Sequence, residues 1–244
     1  MKVCVVIPAR YSSSRFPGKP LVNLLYKPMI IWVADIAARA VGIEHVYVAT
    51  DDTRIADAVT SYGYKFIETS PHALTGTDRV AEASKQIDYD IYINVQGDEP
   101  TIDHLEILKC IQLKKENFDC VVNGYCTIST NSNPSSKNIP KVVKTEKNRL
   151  VYMSRSLVPG FKDLNIMPKE YLKQVCIYGF SFEELQLFSN YGRKSLLEQS
   201  EDIEILRFLD LGKQVLMYQC AKESLAVDVP SDIQIVEDYL QPNK

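Results

Sequence analysis

Five short apolar runs, at 2–7, 45–50, 64–67, 90–95 and 119–125, alternate with helical patterns at 29–40, 53–62, 78–86 and 102–115. The runs are continuously apolar rather than alternating in polarity, as strands buried on both faces are. A helix between successive strands is what parallel connections need. The alternation therefore predicts an α/β chain with a parallel sheet covered by helices. Ligands on such sheets bind beyond the carboxyl ends of the strands, so the polar loops after the first and fourth runs should share one edge. From about residue 129 the rhythm changes. A polar Asn/Ser stretch, runs at 141–144 and 150–153 and a Pro-bearing loop to 168 predict an antiparallel excursion, with a return through 174–180. A helical pattern at 200–211, a strand at 214–220 and a last helix at 231–240 follow. Without internal repeat or low-complexity segment, residues 1–244 read as a single domain with an excursion at about 129–180.

The loop after the first run, from Ile7 to Leu21, places Arg10, Arg15 and Lys19 among three serines, Gly18, Pro17 and Pro20. Lys and Arg heads match phosphate oxygens, and backbone N–H groups of such a turn can cradle them. A solvated basic loop is the bland alternative, but the Pro-Gly-Lys-Pro stiffening favours an anion cradle. At the end of the fourth run, Asn94-Val-Gln-Gly-Asp-Glu-Pro100 presents Asp98 on a tight turn, where a carboxylate can reach Mg²⁺ on a bound triphosphate. Asp98 as a purely local turn former is the competing reading. Asp228, in Ala226-Val-Asp-Val-Pro230, is a second such carboxylate, or else a cap before the last helix. Mg²⁺ takes one or two carboxylates with phosphate and water, which suits the pair. Thr75-Gly-Thr-Asp-Arg79 offers hydroxyls, N–H donors and a charge to an anion or a base edge. It also reads as an ordinary helix start with Thr77 capping, and both can hold. Asp51 and Asp52 are expected to cap the following helix.

Composition narrows the classes. A net charge of −3 disfavours a general nucleic-acid binder, and no apolar run reaches the length of a membrane span. Six cysteines without a Cys-x-x-Cys pair fit buried thiols in a reducing compartment, so the chain is expected to be cytoplasmic. Dinucleotide and P-loop fingerprints are absent, and His45, His72 and His104 are too scattered for a triad or histidine metal site.

Together, the first loop from Arg10 to Leu21, Ala49-Thr-Asp-Asp52, Thr75 to Arg79 and Asn94 to Pro100 resemble the 3-deoxy-manno-octulosonate (Kdo) cytidylyltransferases. The resemblance continues in order through Lys141-Val-Val143, Tyr152-Met-Ser-Arg155, Ile177-Tyr-Gly-Phe180, Leu197-Glu198, Leu206-Arg207 and Val227-Asp-Val-Pro230. It implies a Rossmann-like nucleotidyltransferase fold, mostly parallel, with helices on both faces and a smaller antiparallel excursion. It further implies an enzyme that uses CTP and Mg²⁺ to activate a 3-deoxy-2-keto sugar acid for cell-surface lipopolysaccharide, and a homodimer joined through the excursion. By this likeness Arg10, Arg15 and Lys19 hold the triphosphate. Pro8, Ala9, Thr75, Gly76, Arg79 and Gln96 surround cytosine and ribose, while Asp98 and Asp228 bind Mg²⁺. The catalytic set is then Lys19, Arg10, Asp98 and Asp228. Arg155, Gln174, Tyr178 and Glu204 would face the sugar, with the Arg155 guanidinium suited to its carboxylate. Departures gather at that end. Gln174 stands where the family has His, Ile205 where a Gln follows the Glu, Val229 for Thr and Thr75 for Ser. An unpaired substrate hydroxyl facing Ile205 would cost about 1–3 kcal/mol, which points to a relative of Kdo rather than Kdo itself within an expected acceptor class of Kdo or a close relative. A different 2-ulosonic acid, a sugar 1-phosphate with another NTP, and a non-catalytic nucleotide-binding relative are the alternatives.

Overall fold

The computed structural model describes residues 1–12, 16–130 and 132–241. Its strands are β1 (Val3–Pro8), β2 (Asn23–Leu24), β3 (Lys27–Pro28), β4 (Val46–Thr50), β5 (Lys65–Glu68), β6 (Ile91–Val95), β7 (Val121–Thr127), β8 (Lys141–Lys144), β9 (Leu150–Ser154), β10 (Leu172–Ser181) and β11 (Val215–Gln219). The helices are α1 (Met29–Val41), α2 (Thr53–Ser61), α3 (Gly76–Ser84), α4 (His104–Glu116), α5 (Phe182–Asn190), α6 (Leu196–Glu201), α7 (Leu206–Asp210) and α8 (Asp232–Leu240).

The main sheet runs β11-β7-β10-β6-β1-β4-β5. Neighbours β5, β4, β1 and β6 are parallel, as are β11 and β7, while β10 lies antiparallel to both β6 and β7. Helices cover both faces, which explains the continuous apolar runs. Along β1, Val5 and Ile7 enter one core with Ile31 and Val33 of α1, Ile55 of α2 and Ile107 of α4. Cys4 and Val6 enter the other with Val80 of α3, Leu185 of α5 and Phe208 of α7. Each such side chain stabilises the fold by roughly 1.5–3 kcal/mol through burial, and period-two geometry distributes them to both faces.

The excursion is antiparallel as expected: β8 pairs with β9 and, at Lys141, with Lys173 of β10. The insertion of β10 between β6 and β7 is a finding beyond the sequence reading. It carries a bulge between Val175 and Tyr178, braced by Asn123, whose Nδ2 donates to the carbonyls of Val175 and Ile177. The expected continuous helix over 200–211 is two short helices instead. Asp202, at φ 52°, turns the chain out of α6, and Glu204 then points away from the helix path to bond α3. Among the described residues, no helix is long and apolar enough to cross a membrane.

Candidate functional site

The carboxyl ends of β1 and β6 and the start of α3 open on one edge of the sheet. Together with residues preceding α6 and in the α6–α7 turn they line a cleft of about 260 Å³. Its lining includes Pro8, Ala9, Arg10, Lys19, Thr75, Gly76, Arg79, Gln96, Asp98 and Glu204 from the sequence-derived set. Arg15 lies outside the described residues.

The β1 loop returns on itself. Gly18, at φ 71°, donates its N–H to the Tyr11 carbonyl at 2.9 Å, and a Cβ there would meet the Tyr11 ring at 3.1 Å. A left-handed backbone under an aromatic ring is a place for glycine. The return delivers Lys19 into the cleft, its side chain mostly buried, while Arg10 remains exposed on the cleft wall. Lys19 Nζ lies 2.6 Å from Asp98 Oδ2 and 3.8 Å from Asp228 Oδ1. The two carboxylates, 130 residues apart, thus converge on one cation position. Their loops are tied together as well: Val227 N donates to the Asp98 carbonyl at 3.0 Å, and Leu225 N donates to Thr101 Oγ1 at 2.6 Å. Two hard oxygen donors around one cation position fit Mg²⁺ completed by phosphate and water.

Behind Asp98, Glu99 is buried, and its Oε2 has no hydrogen-bond partner among the described residues. Burial, aided by the neighbouring Asp98 charge, pushes its carboxyl up to about 7.

The second wall is the first turn of α3. Thr75, not Thr77, is the cap: its Oγ1 accepts from Asp78 N at 3.2 Å and donates to Asp78 Oδ2 at 2.7 Å. Thr77 is buried and turns its hydroxyl to Glu204. A Cβ on Gly76 would stand 2.9 Å from Gln96 Nε2 and 3.3 Å from Pro8 Cγ, so glycine lets the Gln96 amide lie against the helix start. Arg79 is buried, donates to Thr69 Oγ1 at 2.5 Å and pairs with Asp51 at 3.0 Å. Burial lowers its pKa and the Asp51 charge offsets part of that. Asp52 caps α2 through Arg54 N, as expected; Asp51 does not cap but serves Arg79.

The third wall comes from a stretch in which sequence reading singled out Glu204 alone as a site residue. Lys194, Glu198 and Asp202 line the cleft beside Glu204. Ser195 and Glu198 form a capping box at the start of α6, as Ser181 and Glu184 do for α5, which the sequence reading also missed. The Ser-x-x-Glu spacing was the available signal at both. Lys194 Nζ bonds Asp202 Oδ1 at 2.8 Å on the open side. Arg207, fully buried, donates to Glu198 through Nε and Nη2 at 2.7 Å each and to Asp78 at 2.8 and 3.1 Å. Glu204 accepts from Gly76 N at 3.0 Å, Thr77 N at 2.8 Å and Thr77 Oγ1 at 2.6 Å. Burial raises its pKa against these donors.

Three residues expected at the sugar do not line the cleft. The Arg155 guanidinium donates to the carbonyls of Glu201, Lys137 and Asp202 at 2.5, 2.9 and 3.0 Å, fixing the α6 end, where a cation suits free helix carbonyls. Gln174 is buried and donates to Asn123 Oδ1 beside the β10 bulge. Tyr178 is buried with its ring stacked on Phe180.

Comparison with known proteins accords with this geometry. A family model described as cytidylyltransferase matches residues 4–219. An 8-amino-3,8-dideoxy-manno-octulosonate cytidylyltransferase of Shewanella frigidimarina (strain NCIMB 400) is 39% identical, over 97% of this chain and 98% of its own. A 3-deoxy-manno-octulosonate cytidylyltransferase of Escherichia coli is 36% identical, over 96% of this chain and 94% of its own. The solved structure of CMP:2-keto-3-deoxy-manno-octonic acid synthetase complexed with CTP superposes with a TM-score of 0.90 at 35% identity, covering 98% of both chains. A putative glucose-1-phosphate thymidylyltransferase from Bacillus anthracis, at 12% identity and TM-score 0.71 over 99% of this chain and 96% of its own, shares the fold alone.

Proposed function

This chain belongs to the cytidylyltransferase family, and we propose that it couples CTP to a 3-deoxy-2-keto sugar acid, giving the CMP-sugar and pyrophosphate. The observation that carries the reading is the convergence of Asp98 and Asp228 on the Lys19 ammonium, beside a cleft that Asp98, Lys19 and Arg10 line. Asp98 and Asp228 would hold Mg²⁺, which when bound supplies charge neutralisation for the triphosphate. Arg10 and Lys19 bind and orient the phosphates, with Lys19 offsetting charge at the α-phosphate. Pro8, Ala9, Thr75, Gly76, Arg79 and Gln96 enclose the nucleoside. The sugar's anomeric 2-hydroxyl oxygen bonds to the α-phosphorus as the α–β bridge breaks and pyrophosphate leaves. Positioning and electrostatics supply most of the acceleration in such transfers.

On the acceptor side we assign Lys194 and Asp202 in place of Arg155. Asp202 keeps its carboxylate 75% exposed at the cleft. That favours a second reading of the acceptor: one that carries an ammonium, as the 8-amino-3,8-dideoxy sugar named for the Shewanella relative does. We further infer a cytoplasmic homodimer of single-domain subunits. Its support is the set of six free cysteines and the apolar side chains exposed on the excursion.

Pyrophosphate release tests the reading, using CTP, UTP, ATP and GTP against Kdo, its 8-amino analogue and sugar 1-phosphates, with and without EDTA. CTP-specific, EDTA-sensitive release with one of the two octulosonates is expected. Release with none of the acceptors would leave a nucleotide-binding relative.

A further inference from the structure

The sequence offers the start of α3 as an open set of N–H donors. The fold closes it. Gly76 N and Thr77 N donate to Glu204, Asp78 N to Thr75 Oγ1, and Arg79 N to the Thr75 carbonyl at 3.2 Å. The N–H groups of Gly76, Thr77 and Asp78, three of the four that a helix start leaves unpaired, are therefore occupied, and the Arg79 bond is the first of the helix's own ladder. The carboxylate that takes two of them comes from the α6–α7 turn, 128 residues later. Its position is fixed by Arg207 three residues on, which is clamped between Glu198 of α6 and Asp78 of α3 and lies 3.7 Å over the Phe188 ring.

A carboxylate at this place has two consequences for a ligand in the cleft. A negative charge on a helix N-terminus cancels the attraction that the helix would exert on phosphate. The cleft becomes polar along its length, with Arg10 and Lys19 at one wall and Glu204 at the other. Three charge-assisted bonds also hold Gly76 and Thr77 still, with Gly76 against the Gln96 amide, where a Cβ would not fit.

We propose that Glu204 is a positioning residue for the nucleotide, not a sugar contact: it takes up two N–H groups at the start of α3, fixes the Gly76–Thr77 edge and directs the phosphates to Arg10 and Lys19. This rests on the cleft being the CTP site. Glu204→Gln keeps shape but sets an amide NH₂ against a backbone N–H. Thr77→Val removes one hydroxyl from the same carboxylate while leaving the acceptor wall intact.

The experiment is calorimetric titration of CTP with Mg²⁺, without acceptor, on the wild type, both single variants and the double variant. Acceptor KM is measured at saturating CTP alongside. Glu204→Gln should weaken CTP by roughly ten- to a hundredfold, Thr77→Val by several-fold, and the double variant no more than Glu204→Gln alone. Acceptor KM should stay within about twofold, a split that general loosening of the fold would not produce. Should Glu204→Gln prove poorly folded, Thr77→Val alone still separates the outcomes. A raised acceptor KM with unchanged CTP affinity, or additive effects of the two substitutions, would overturn the proposal. Failure of the wild type to bind CTP would instead remove the CTP reading on which it rests.

Discussion

Lys19 stands 2.6 Å from one carboxylate and within 3.8 Å of another, and a cation in that place has two uses. It relieves the repulsion between Asp98 and Asp228, and on the proposed reading it stands in position for the phosphates of CTP. Its replacement by Met should lower kcat/KM for CTP by about 10²–10³, the usual loss for one preorganised donor at a charged transition state. Steady-state kinetics at saturating Mg²⁺ measure it, and retained wild-type efficiency would remove Lys19 from the reaction. Glu99, one residue past Asp98, gives a stability prediction. Its folded pKa of about 7 lies above the ordinary carboxyl value of 4.5. Between those values the folded state binds more protons than the unfolded state, so stability falls as pH rises from about 4.5 to 7 and is level beyond. Glu99→Gln should abolish that fall. The metal-free variant is expected to gain up to about 3 kcal/mol over wild type at pH 8 and almost nothing at pH 4. Urea unfolding at the two pH values checks it; equal differences at both would refute the assignment.

At the scale of elements, the first half was legible because each run and its helix follow local rules. β1, β4 and β6 are buried on both faces and therefore read as apolar runs, the edge strand β5 buries only Ile67, and Asp52 caps α2 as its position suggests. The second half depends on contacts that no local pattern carries. No element was read between 181 and 199 although two Ser-x-x-Glu boxes mark α5 and α6. The span 200–211 has helical periodicity, yet Glu204 leaves the helix path because α3, far away in sequence, needs its carboxylate. For the same reason the β1, β6 and α3 walls of the cleft could be read from motifs, while Lys194 and Asp202 could not, and Arg155 was expected at the sugar when its guanidinium donates to carbonyls. The Arg207 clamp shows how much rests on one such contact. Arg207→Met leaves Asp78 and Glu198 buried without their cation, a change expected to destabilise the protein by about 3–5 kcal/mol. Replacing all three residues by apolar ones of like volume should cost far less, since the loss comes from orphaned charge. Thermal or chemical unfolding of both variants distinguishes this from simple loss of packing.

For the whole molecule, the unbalanced feature is the excursion around β8 and β9. Leu164 is 79% exposed, Ile166 65%, Val151 53% and Met167 52%, all within one stretch of chain. Scattered exposed apolar residues are ordinary, but a run of them on one arm is the kind of surface that a partner would cover. A second copy of the chain is the occupant we propose, because closed two-fold pairing buries the same patch on both subunits. A stable pair needs about 1,200–2,000 Å² buried in total, and the arm would supply its apolar centre. Charges placed there should break the pair without touching the cleft, since the cleft is lined from β1, β6, α3 and the α6–α7 stretch and by none of these four residues. The double variant Leu164→Asp, Ile166→Asp is therefore expected to sediment as a monomer at micromolar concentration where wild type sediments as a dimer. Its unfolding midpoint measured as a monomer and its CTP affinity should both show an intact subunit. A wild-type chain that sediments as a monomer at tens of micromolar would rule out the homodimer, and a double variant that still pairs would place the interface elsewhere.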